Sequence, residues 1–230
     1  RSPEEVAAEW DNFYGTAYSA NWPGVKARLY YVAESFDQKF KWEGKSVLDI
    51  GAGEGTFLKM IRERGAYPVV GLDPSAKNCR KLRADDFFMF HKLVRAGDAP
   101  VGKYDVVTLL WTLENTTDCI GVLKWARENL VGDGLIVVAT GSRILVPFKK
   151  PLHRYFSKNP PDLHAYRWSF NSLRLALGMA GFDYIDVNDY EEVNELIVLG
   201  TAPKRLEIEY SRDDPERVLK YFSDWEGMFP

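Results

Sequence analysis

Seven residues, Asp49-Ile50-Gly51-Ala52-Gly53-Glu54-Gly55, carry the clearest chemical pattern in the chain. An apolar run from Val47 to Ile50 drops into glycines at alternate positions and leaves as an amphipathic stretch from Thr56. Glycine lets a backbone bend tightly and approach a ligand, and a helix that follows presents free N–H groups to an anion. Turns of this shape hold several adenosine-bearing cofactors, so the details must discriminate. A dinucleotide fingerprint needs its third glycine at position 56, and Thr56 stands there. Two more carboxylates lie downstream: Asp73, ending the apolar run Val69-Val70-Gly71-Leu72, and Asp98 in Ala96-Gly97-Asp98-Ala99.

The elements that must position these groups follow a rhythm. Short apolar strands are expected at 46–50, 68–73, 92–98 (more weakly marked), 104–111 and 134–140, with helices between them. Gly65 closes the first of these helices, and Asp118 is a plausible N-cap for another over 118–130. Strand–helix alternation with near-continuous apolar strands predicts a mostly parallel sheet covered on both faces. After residue 140 the rhythm breaks into a segment rich in Pro, His and aromatics, 141–168. A helix capped at Ser169 or Asn171 and stopped at Gly181 follows. Two strands, 182–190 and 195–202, come next; the short polar loop between them demands an antiparallel hairpin at one sheet edge. The expected architecture is α/β, a three-layer sandwich around a seven-stranded mostly parallel sheet closed by that hairpin. Helices at 4–12 and 25–40 make residues 1–44 a helical cap. Residues 45–202 form the core, with 141–168 as a lid, and 203–230 a helical extension.

Bulk properties narrow the class. With 230 residues, 46% hydrophobic and 27% charged, the chain can bury a substantial core. A net charge of −3 and a pI near 5.7 give no general attraction to phosphate backbones, so nucleic acid is not expected as a partner. No apolar run is long enough to span a bilayer, and the acidic opening RSPEEVAAEW is unlike a signal peptide; no membrane partner and a cytoplasmic address are expected. Cys79 and Cys119 read as ordinary thiols. No carboxylate or histidine spacing calls for a metal, and oligomeric state is not readable.

Together the motifs resemble the class I S-adenosylmethionine-dependent methyltransferases, over roughly residues 44–202. In that family the first motif reads acid-x-Gly-x-Gly-x-Gly, as DIGAGEG does at 49–55; an acid ending strand two holds the ribose hydroxyls, as Asp73 would; and an acid after strand three faces the adenine amino group, as Asp98 would. YDVVTLLWTLEN at 104–115 is similar to the family's FDxVxxxxxLEH, departing at Asn115 where His is usual. The resemblance implies S-adenosyl-L-methionine as cofactor, held by Tyr14, Asp49, Gly51, Ala52, Gly53, Gly55, Asp73, Pro74, Asp98, Ala99 and Trp111. Asp73 could instead cap the helix near Ser75, and Trp111 could simply be core. The family's N-terminal aromatics fold over the methionine end, which makes Tyr14 and Tyr18 candidates. NPPD at 159–162 imitates the Asn-Pro-Pro-aromatic motif of amino methyltransferases, but it follows strand five rather than strand four and ends in Asp162; a kinked loop explains it better.

The acceptor site should be built from what is added to the common core. The lid carries Arg143, His153, Tyr155, His164, Tyr166, Arg167 and Trp168. A histidine, with an ordinary pKa near 6.5, suits removal of a hydroxyl proton at neutral pH, so His164 or His153 is the expected general base; either could equally be structural, as His91 is expected to be. Tyr18, Arg143, Tyr155, Tyr166, Arg167 and Trp168 are the expected acceptor contacts. HAYRWSFNSL at 164–173 is similar to a branch that methylates small hydroxylated or sugar-like acceptors. Expected, therefore, is O-methylation of a small polar molecule. N- or C-methylation is the near alternative, and a nicotinamide-dependent oxidoreductase or a non-catalytic cofactor-binding module the more distant ones.

Overall fold

The structure, a computed structural model, describes residues 2–16, 23–140, 164–187, 196–201 and 213–228. Two helices open it, α1 (Pro3–Thr16) and α2 (Pro23–Lys39). The alternating core follows: β1 (Val47–Ile50), α3 (Thr56–Glu63), β2 (Val69–Asp73), α4 (Ala76–Ala84), β3 (Phe88–His91), β4 (Tyr104–Leu110), a 3-10 turn (Leu113–Asn115), α5 (Cys119–Glu128) and β5 (Leu130–Thr140). Helix α6 (Phe170–Met179), strands β6 (Asp183–Val187) and β7 (Leu196–Thr201), and α7 (Pro215–Met228) complete the described elements.

The strands lie in the order β3-β2-β1-β4-β5-β7-β6. The first five run parallel, and β7 runs antiparallel between β5 and β6. Successive side chains of a strand point to opposite faces, and the core divides accordingly. Val47, Val69 and Val106 pack with α2, α3 and α4; Leu48, Val70 and Val107 pack with α5 and α6. Each such fully buried aliphatic side chain contributes about 1.5–3 kcal/mol, and Leu48, Leu58, Leu109 and Leu123 are all fully buried.

Local chemistry sets the helix ends. Asp118 accepts the Gly121 N–H at 2.8 Å, capping α5. Of the two candidate caps for α6 it is Ser169, in a reciprocal capping box with Ser172. One element differs from expectation. The third strand is Phe88–His91, not 92–98, and His91 sits at its end, paired with Asp73 in register, rather than on a helix. The turn that frees it is Asp85-Asp86, where Asp86 adopts φ 63°, a conformation that Asp tolerates better than most residues.

Candidate functional site

Parallel pairing brings the carboxyl ends of β3, β2, β1 and β4 into one row. The chain leaves β1 for β2 on one side and later returns to β4 on the other. The crevice at such a switch point is where open α/β sheets bind ligands. A cavity of about 310 Å³ lies there, with Gly51, Asp73, Pro74 and Trp111 in its wall, a size suited to a small molecule. Helix α1 covers it with Val6, Ala7 and Asp11. Two polar ties anchor that cover: Ser75 Oγ donates to Asp11 Oδ1, and the Arg95 guanidinium pairs with Glu4.

The glycine turn and Asp73 form one unit. The Gly51 and Ala52 N–H groups both donate to the Leu72 carbonyl, at 2.7 and 3.1 Å. Gly53 N–H donates to Asp73 Oδ2 at 2.8 Å, and Ser75 N–H to Asp73 Oδ1 at 2.9 Å. Gly51 has φ 80°, and a Cβ there would come within 2.2 Å of Thr112 Oγ1, so the turn beyond β4 packs directly on this glycine. Burial pushes the Asp73 carboxyl above its usual range, against the pull of those backbone donors. A carboxylate offers about four lone-pair directions; two are taken by backbone and a third, on Oδ1, is approached by Asn78 Nδ2 at 3.5 Å, which leaves Oδ2 able to accept a ligand hydroxyl. The helix-capping alternative for Asp73 resolves differently: Ser75 is the N-cap of α4, accepting from Asn78 N–H at 3.2 Å, and Asp73 braces that cap from below.

Asp49 stands behind the turn rather than in the cavity wall. Only 3% exposed, it accepts the Thr108 hydroxyl at 2.6 Å. Burial raises its pKa to about 7; the Thr108 bond opposes the rise and the Asp73 charge adds to it.

At the end of β4 the backbone does something unusual. Trp111 has φ 52°, a left-handed conformation rare for a bulky side chain and costing of order 1–3 kcal/mol. Its N–H donates to Ala139 O at 2.7 Å, and its carbonyl accepts Asn115 Nδ2 at 2.9 Å. The Arg28 guanidinium lies 4.8 Å from the indole centroid. Trp111, Thr112 and Asn115 all line the cavity, so Trp111 is part of its wall.

Gly51, Asp73, Pro74 and Trp111 are thus the expected cofactor residues that reach the cavity. Ala52, Gly53 and Gly55 shape the turn from outside the lining, Gly55 as the N-cap of α3. Asp98 is not in the cavity wall but bonds two residues that are: its carboxylate accepts Arg95 N–H at 2.9 Å and pairs with Lys92 at 3.3 Å, which hold its pKa down. Ala99 also lies off the cavity, its carbonyl accepting Trp125 Nε1 at 3.2 Å. Residues Val94, Arg95 and Ala96 line the space instead. Tyr14 lies on α1 with its side chain outside the described atoms, and Tyr18, Arg143, His153 and Tyr155 lie outside the described residues. His164 begins a short segment docked on the 3-10 turn, where Ala165 and Tyr166 N–H groups donate to Glu114 O at 2.7 and 3.1 Å. The Tyr166 hydroxyl donates to Thr117 O at 2.9 Å and its ring stacks on Trp168 at 5.3 Å. Tyr166 reaches the lining residue Thr117, but Tyr166, Arg167 and Trp168 are not themselves in the cavity wall. Asp11, Arg95, Thr112 and Asn115 were not anticipated as lining residues. Asn115 alone carried a signal, as the departure from His.

Comparison with known proteins agrees with this geometry. A family model described as a methyltransferase domain matches residues 27–187. The ubiquinone biosynthesis O-methyltransferase of Rhodopseudomonas palustris (strain TIE-1) is 29% identical over 129 residues, covering 50% of this chain and 51% of that protein. The chain spans about half the length of the curated relatives it matches. Among solved structures, an S-adenosylmethionine-dependent methyltransferase from Listeria monocytogenes superposes with a TM-score of 0.60 at 18% identity, covering 77% of this chain and 99% of that one. The magnesium protoporphyrin IX methyltransferase of Synechocystis PCC 6803, solved with bound SAH, gives 0.61 at 17% identity, covering 85% and 94%. At such identities these structures speak for the fold.

Proposed function

The chain belongs to the methyltransferase-domain family that matches residues 27–187, and on that footing we propose that it methylates an oxygen of a small polar acceptor, such as a sugar or a polysaccharide or natural-product precursor. It is an S-adenosylmethionine-dependent methyltransferase. The cofactor, when bound, supplies an activated methyl group on a positively charged sulfur. Asp73, at the end of β2 in the cavity wall, with acceptor capacity left on Oδ2 beyond its bonds to Gly53, Ser75 and Asn78, is the observation that carries the reading. It suits the ribose hydroxyls. Gly51 allows close approach of the amino-acid end, and the Trp111 indole, which already holds the Arg28 guanidinium over its ring, is an electron-rich surface of the kind that favours a cation.

What this chain must add is alignment, exclusion of water and removal of the acceptor's proton. Helix α1 excludes water from one side of the cavity. Oxygen as the accepting atom is supported by the relatives whose printed activity is O-methylation. The proton would pass to a lid histidine, His164 or His153. In support of His164, its segment is fastened to the 3-10 turn whose residue Asn115 lines the cavity. The acceptor is proposed as a small molecule rather than nucleic acid, given the net charge of −3.

Turnover with labelled S-adenosylmethionine across a panel of hydroxylated acceptors, followed by NMR of the product, tests the proposal. His164→Ala or His153→Ala should lose about 10²–10⁴-fold in turnover while keeping uptake of S-adenosylhomocysteine. Normal turnover by both variants removes the base assignment. A methyl group found on nitrogen or carbon removes the assignment to oxygen.

A further inference from the structure

The functional reading assigns Trp111 to the cofactor's surroundings and leaves Asn115 without a role. Resting on that reading, we propose that Asn115 is a positioning residue, acting on the cofactor site through Trp111. Its carboxamide bonds the Trp111 carbonyl and so fixes the left-handed turn that sets the indole in the cavity wall.

Three observations converge. First, Trp111 sits at φ 52°, where a bulky residue persists only if its surroundings over-determine it. The restraints on its two flanking peptide groups are the Ala139 carbonyl, which takes its N–H, Asn115 Nδ2, which gives to its C=O, and Thr112 Oγ1, which donates to the Leu110 carbonyl at 3.2 Å. The first is the ordinary continuation of the β4–β5 ladder. The second is a side chain reaching back four residues.

Second, the turn is costly and the fold recovers little from it. Trp111 Nε1 and Asn115 Oδ1 are both buried with no hydrogen-bond partner among the described residues. Buried polar atoms are paired in the great majority of cases, and an exception asks for an explanation. An apolar residue at 115 would remove the unpaired Oδ1 but leave the Trp111 carbonyl without its donor, so what Asn115 secures at that cost is the Trp111 turn.

Third, the turn is coupled to the glycine motif. Thr112, next in the chain, fills the space that a Cβ on Gly51 would need. Rotation of the Trp111 peptide would therefore displace Thr112 from the glycine turn as well as the indole from the cavity. Asn115 also fixes its own orientation: only Nδ2 can donate to a carbonyl, which leaves Oδ1 as the unpaired atom. An aspartate there would present a second acceptor to the Trp111 carbonyl and release the turn.

Calorimetric titration with S-adenosylhomocysteine tests this, on wild type, Asn115→Ala, Asn115→Asp, Trp111→Ala and the Trp111→Ala/Asn115→Ala double variant. Each single change should weaken uptake by about tenfold, and the double variant should be no weaker than the worse single one, the non-additivity expected of residues acting as a unit. A residue that merely stabilised the fold would lower thermal midpoints without that pattern in affinity. Asn115→Asp, nearly the same shape, serves if Asn115→Ala does not fold. Wild-type uptake with unchanged uptake by the Asn115 variants, or multiplying losses in the double variant, overturns the proposal. Failure of wild type to take up the ligand overturns the functional reading beneath it.

Discussion

Asp49 and Asp73 occupy neighbouring strands, both buried, and the structure gives them different work. Asp73 reaches the cavity and still holds two backbone N–H groups. Asp73→Asn keeps an acceptor oxygen for the turn but loses the charge. It should weaken S-adenosylhomocysteine uptake by tenfold or more, since bonds to a charged group are worth about 1.5–3 kcal/mol each; titration calorimetry gives the figure, and unchanged affinity would remove Asp73 from the ribose site. Asp49 accepts the Thr108 hydroxyl and feels the Asp73 charge, and its pKa is raised by burial from 3.8 to about 7. Between those values the folded state holds a proton that the unfolded chain releases. Its contribution to stability is therefore present below about pH 4 and lost as pH rises through about 7. Urea unfolding of ligand-free protein across that window should show the decline, and Asp49→Asn, which cannot ionise, should reduce it to the part that Asp73, also raised by burial, contributes. Both residues were legible in the sequence because each ends or precedes a turn of recognisable spacing. Asp98 was equally legible as a motif, yet its carboxylate turns to Arg95 and Lys92. Side-chain direction in a loop depends on local turn geometry, which spacing does not encode.

At the scale of elements, the glycine turn and the turn beyond β4 act as one piece, and glycine makes this testable. Gly51 and Gly97 share φ 80°, but a Cβ on Gly51 would strike Thr112 while one on Gly97 would meet nothing within 4 Å. Gly97→Ala isolates the backbone cost, about 1 kcal/mol. Gly51→Ala adds crowding and should cost a further 1–3 kcal/mol or so and impair ligand uptake as well. Equal thermal shifts for the two variants would show that Thr112 gives way freely. Strands β1, β2 and β4 were readable because burial on both faces makes them continuously apolar. The third was not. As the open edge of the sheet it leaves Phe88 63% exposed while Met89 is buried, a pattern too short to distinguish from the end of α4. The loop 92–98 borrowed its identity through Gly97-Asp98. A helical cap over residues 1–44 was expected, but the side chains that tie α1 to the cavity were beyond reach, because Asp11–Ser75 and Glu4–Arg95 join residues far apart in the chain.

For the whole molecule, the α/β class and its five parallel strands follow from alternation of apolar runs with amphipathic helices. The cofactor follows from where those strands end. Residues 141–163, expected to carry Arg143, His153 and Tyr155 of the acceptor site, lie outside the described residues. Cofactor choice can be tested on the intact chain without knowing the acceptor. Whatever binds only the folded state stabilises it by RT ln(1 + [L]/Kd), about 2.7 kcal/mol at a hundredfold excess over Kd. For a chain of 230 residues that corresponds to a rise in Tm of roughly 5–11 °C. S-adenosylhomocysteine should produce it and NAD should not, because Thr56 stands where the dinucleotide turn needs its third glycine and Asp73 already fastens this turn through Gly53. The Asp73→Asn variant should shift less than wild type at the same ligand concentration. A rise with NAD and none with S-adenosylhomocysteine would reverse the assignment of the cavity.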